Sequence, residues 1–84
     1  MSGNNQNNSV NKPIEVLVKF SQKNIEIKAF KWNGRVIKID KINLRHTEKR
    51  GEKILFYFNV SNVGANYELT FDNQSLGWKL KNIY

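Results

Sequence analysis

From Ile14 onward, apolar residues recur at every second position in short runs separated by polar turns, the period of strands with one buried face. Ile14, Val16, Val18 and Phe20 form the first run, with Glu15 and Lys19 on the opposite parity and Leu17 breaking the alternation. Ser21-Gln22-Lys23-Asn24 turns the chain into a second run, Ile25 to Trp32. Here the apolar parity changes: Ile25 and Ile27 are odd, Phe30 and Trp32 even. A strand with one buried face keeps its parity unless a residue is inserted, so a β-bulge is expected near Lys28-Ala29. Asn33-Gly34 follows at once, and Asn-Gly between two β segments is the strongest short hairpin signal, since both central residues of a type I′ turn need positive φ.

A third segment changes parity again. Ile37 and Ile39 are odd, Ile42 and Leu44 even, with Asp40-Lys41 at the switch. Two switches in neighbouring strands demand strong bending, as at the corners of a small barrel. His46 to Gly51 reads as a charged loop, and Ile54, Phe56, Phe58 and Val60 as the cleanest core-facing strand. Asn62 to Asn66 turns into Tyr67, Leu69 and Phe71; Asp72 to Ser75 turns into a closing run of Leu76, Trp78, Leu80 and Tyr84. The expected fold is all-β: a six-stranded antiparallel meander forming a small, strongly bent barrel or half-barrel. Closure would let the first and last strands cover each other's edges. The expected core is Ile14, Val16, Val18, Ile25, Ile27, Trp32, Ile39, Ile42, Phe56, Phe58, Leu69, Phe71, Trp78 and Leu80.

Composition sets the bounds of this picture. Residues 1–12 are mostly Asn and other polar residues with a single Val, and are expected to form a disordered tail. Residues 13–84 then make one small β domain, opened by Pro13. Eighty-four residues leave little core for a deep enzyme cleft. The absence of cysteine fits a cytoplasmic setting, and the lack of a signal-like or long apolar stretch points away from a membrane. Formal charge is +7, and it is uneven: residues 1–51 hold 11 basic and 4 acidic groups, whereas residues 52–84 hold 3 of each. Such asymmetry points to a basic face for an anionic partner.

Catalysis finds little support. The single histidine, His46, stands beside Lys and Arg, and positive neighbours disfavour its protonated form. The seven carboxylates are scattered, and no metal spacing, phosphate-cradling glycine loop or nucleophile elbow is present. The chain is therefore expected to be a non-catalytic module without a cofactor. Nucleic acid, single-stranded or duplex, is the leading partner, contacted by Lys31, Arg35, Lys38, Lys41, Arg45 and Arg50. Alternate residues of a strand lie about 6.6 Å apart, close to the phosphate spacing of a single strand. Phe30, Trp32 and Tyr57 are the aromatic candidates for base stacking, with Phe30 and Trp32 also fitting the core. This reading requires the basic side chains to share a face; scattered around the barrel, they would serve solubility alone. The alternative is a protein-interaction or self-assembling module, using Leu55 and Tyr57 as an apolar patch on the other side of their strand.

Phe30-x-Trp32-x-Gly34-Arg35-x-Ile37-x-Ile39-x-x-Ile42, with Tyr67-Glu68-Leu69-x-Phe71-Asp72 and Trp78-x-Leu80, resembles a small bacterial β domain of unknown function. The resemblance covers most of residues 14–84, and Ile37 stands where that family often has another aromatic residue. The family's domain occurs alone and at the C-terminus of some Y-family-polymerase-like proteins of mutagenic repair. What the resemblance implies is a setting, DNA or a repair-protein partner; it implies no activity and no binding residue.

Overall fold

The computed structural model describes residues 9–22 and 24–84. Seven strands and no helix are found among them: β1 (Ser9–Phe20), β2 (Ile25–Trp32), β3 (Arg35–Lys38), β4 (Lys41–Arg50), β5 (Lys53–Asn62), β6 (Ala65–Asp72) and β7 (Trp78–Ile83). They form one antiparallel sheet in the order β3-β2-β1-β7-β6-β5-β4. The first and last strands pair at its centre, so the edges belong to β3 and β4.

The count of seven corrects the expected six. The third segment is cut in two at its parity switch, and the two pieces stand on opposite edges of the sheet. Only Ile39 and Asp40 join them. Three trans Cα–Cα steps reach at most about 11 Å, whereas seven strands laid flat would set the edges about 29 Å apart. The sheet must therefore curl until its edges nearly meet, and it forms a strongly curled half-barrel. A clasp holds the seam: the Ile39 amide donates to the Lys28 carbonyl of β2 and the Asp40 amide to the Ser61 carbonyl of β5, both at 2.9 Å. Asp40 Oδ2 accepts from the Val63 amide at 2.8 Å, and Asn62 Nδ2 donates to the Lys38 carbonyl.

Inserted residues supply the curvature. Leu17 pairs with Ala29 but Val18 with Ile27, leaving Lys28 as the bulge expected from the parity change in that strand. Asn43 is the extra residue in β4 and Lys81 in β7. Two further boundaries differ from expectation. β4 continues to Arg50, so the charged stretch after His46 is edge strand turning at Gly51-Glu52 and not a loop. β1 begins at Ser9, whose pairing with Asn82 gives the end of the Asn-rich segment a strand partner; residues 1–8 lie outside the described residues.

The concave side holds the core. Ile27, Phe30, Phe58, Val60, Leu69 and Leu80 are buried, with Trp32, Ile42, Phe56, Tyr67, Phe71 and Trp78 among those packed around them. Phe30 and Tyr67 meet edge to face at 5.1 Å, joining the β2 half of the sheet to the β6 half. Phe30, which fitted either the core or base stacking, and Val60, on the strand expected to face the core, both lie at its centre. Val18, expected there, lies outside the cluster towards the β1–β2 hairpin tip, where Phe20 is 68% exposed.

Candidate nucleic-acid interface

Residues paired across antiparallel strands point to the same side of the sheet, so register assigns each basic residue a face. Lys31 pairs with Val36 and Lys38 with Ala29, out of phase with the core pair Phe30–Ile37; both lysines are convex. Lys41 pairs with Ser61 and Arg50 with Lys53, also on the convex side. Arg35 pairs with Trp32, and Arg45 with buried Phe58, on the concave side. The six residues do not share one face, so the single basic surface that the sequence reading required is not formed. Lys41 and Arg50 are also about 30 Å apart along β4 at strand rise. Inserted residues and the seam decide these placements, and sequence spacing does not carry that information.

A smaller constellation does form. Between β3 and the β5–β6 end of the half-barrel lies a groove of about 490 Å³, lined by Trp32, Asn33, Arg35, Val36, Ile37, Lys38, Asn62, Tyr67 and Ile83. It contains two cations, two side-chain amides, two aromatic rings and no carboxylate. The Asn33-Gly34 turn positions it: φ is 51° at Asn33 and 75° at Gly34, as a type I′ hairpin needs, and the turn returns the chain so that Arg35 stands opposite Trp32. Trp32 is only half-buried and also borders a second, shallower groove with Lys31. Because β3 is an edge of only four residues, side chains from both faces reach its rim.

Ion pairing sharpens the local charge. Glu26 accepts Lys28 at 2.9 Å, Glu48 accepts Arg50 at 2.9 Å, and Asp72 accepts Lys53 at 3.3 Å. Lys28 beside Glu26, and Arg50 beside Glu48, hold those carboxyls below their ordinary value. Asp40 is engaged by the Val63 amide. Among the described residues Lys31, Arg35 and Lys38 make no ion pair, although Glu15 stands directly across from Lys31 on the neighbouring strand.

The aromatic candidates separate. Phe30 is 2% exposed and unavailable for stacking, whereas Trp32 retains an accessible edge. Tyr57 is 7% exposed on the convex side, stacked on His46 with ring centroids 4.5 Å apart and planes 5° from parallel. Its hydroxyl donates to Glu48 Oε1 at 3.4 Å. Burial first, and then the Glu48 charge, push its phenol above the ordinary 10.0. The Tyr57 ring is thus covered on one side by its cross-strand neighbour His46, while Leu55 on the same face is only half-buried. Tyr67 was placed only as a strand residue by its spacing, but it lines the groove; nothing local in the sequence marks it.

No group of three or more metal-ligating side chains occurs among the described residues, and no helix there is long and apolar enough to cross a membrane. No protein-family model, curated protein or solved structure matches this chain.

Proposed function

We propose that this domain is a non-catalytic binding module for single-stranded nucleic acid, held in the seam groove. The observation that carries the reading is the groove's lining: Arg35 and Lys38 beside Trp32 and Tyr67, with no carboxylate. Cations neutralise phosphates while an aromatic edge offers a base a stacking surface, and stacking of this kind tolerates any sequence. Single strands suit the site better than duplex because a duplex keeps its base faces stacked internally. The groove volume lies in the range of small-ligand sites, enough for a nucleotide or two. Lys31 supports the reading from the adjoining groove. Lys41 stands just across the seam, while Arg45 and Arg50 are left with a solubility role. The resemblance to a domain found with repair polymerases agrees with a DNA setting. Association through Leu55 and Tyr57 finds less support, because Tyr57 is covered by His46.

Fluorescence anisotropy of a labelled oligo(dT) tests the proposal. Binding is expected to weaken steeply between about 50 and 200 mM salt, with a logarithmic slope near −2 if three phosphates are neutralised. Arg35→Ala should weaken binding and make that slope shallower by about 0.7. Absence of binding at the lowest salt, or binding indifferent to both salt and Arg35, would falsify the reading.

A further inference from the structure

The convex face carries a second feature, separate from the seam. Cross-strand register lines up Pro13, Lys79, Thr70, Tyr57 and His46 in one row over five strands. Thr70, in the middle of that row, is 7% exposed. Its hydroxyl makes no hydrogen bond among the described residues. A buried hydroxyl without a partner is costly, and polar groups so placed are normally satisfied by protein, water or ligand.

Thr70 lines a groove of about 460 Å³ shared with Tyr57, Arg50, Lys53, Lys79 and Lys81. Asp72, which lines this groove, and Glu48, which binds its lining residues Arg50 and Tyr57, are already engaged. Asp72 Oδ1 accepts the amides of Gln74 and Ser75, while its other oxygen takes Lys53. Glu48 takes Arg50 and the Tyr57 hydroxyl. Lys79 and Lys81 make no ion pair among the described residues. The groove therefore gathers the unpartnered hydroxyl of a buried threonine and two ammonium groups that make no ion pair, beside a carboxylate whose oxygens are already engaged.

We propose that this groove is an oxyanion site for a phosphate group, held by the Thr70 hydroxyl and the Lys79 and Lys81 ammonium groups. A phosphate supplies what the three donors lack, several acceptor oxygens with negative charge. The phosphate is either free in solution or part of a nucleic-acid backbone, and both present the same oxygens to these donors. The inference stands apart from the seam groove, since Arg35 and Trp32 take no part in it.

Amide chemical shifts of the full chain, followed by NMR at low salt, test it with two titrants: inorganic phosphate and oligo(dT). A saturable shift at Thr70, Lys79 and Lys81 is expected with at least one of them. Response to phosphate alone assigns the free ion, and response to the oligonucleotide assigns the backbone diester. Thr70→Val should weaken the interaction about tenfold, Lys79→Ala should weaken it too, and Thr70→Ser should preserve it. Arg35→Ala should leave these shifts unchanged, which separates this site from the seam. If neither titrant moves the three amides saturably, the proposal fails. It also fails if Lys79→Ala and a folded Thr70→Val both bind as the parent does.

Discussion

Single side chains divide into those that hold the half-barrel and those that tune it. Leu80 on the central β7 is fully buried, and its truncation leaves a cavity that a curled sheet cannot easily collapse. Leu80→Ala should cost about 2–5 kcal/mol, lowering Tm by at least about 8 °C in a domain of this size. Thermal denaturation followed by circular dichroism checks this. Asp72 tunes stability with pH. The Gln74 amide, and then Ser75 and Lys53, hold its carboxyl below the ordinary 3.8. The folded state therefore binds fewer protons than the unfolded state in that range, so the contribution is complete above pH 4 and disappears as pH falls through the folded value. Asp72→Asn should lower Tm at neutral pH and flatten its decline below pH 4, with Glu26 and Glu48 retaining part of the slope. A Tm–pH curve parallel to that of the parent would exclude this role.

The β2–β3 hairpin is the element on which the seam groove depends. At Gly34 φ is 75°, and an added Cβ would meet nothing within 4 Å, so substitution there acts through the backbone alone. Gly34→Ala should cost about 1–2 kcal/mol, measured by chemical denaturation. It should also weaken oligonucleotide binding, because the turn sets Arg35 opposite Trp32. Loss of binding without loss of stability would mean that the turn itself touches the ligand. The edge strand β4 shows the opposite economy. Its bulge at Asn43 and its run of charged side chains are features that discourage edge-to-edge pairing.

Across the whole molecule, the seam decides shape. The two sheet edges are joined covalently by two residues and by the clasp around Asp40 and Asn62. Asp40→Ala removes the bond to the Val63 amide and should cost about 1 kcal/mol. Hydrogen exchange should quicken at Ile39, Asp40 and Val63 while the central β1–β7 and β6–β7 pairs stay protected. Uniform acceleration over all strands would show instead that the seam opens only with global unfolding.

Alternation by itself determined the all-β class, because period 2 is a local property of each segment. Parity changes located the bulge at Lys28 and the corner at Asp40-Lys41, and Asn33-Gly34 set its turn through the φ values those residues tolerate. What remained hidden was long-range. That the corner carries the chain from one sheet edge to the other follows only from the pairing of β1 with β7. The same pairing and the curl bring Phe30 against Tyr67, while the β2–β3 and β4–β5 registers divide the six basic residues between two faces. The β6–β7 register sets Lys79 beside Thr70. Sequence spacing records which side of its own strand a residue takes; only the curled sheet decides what stands opposite.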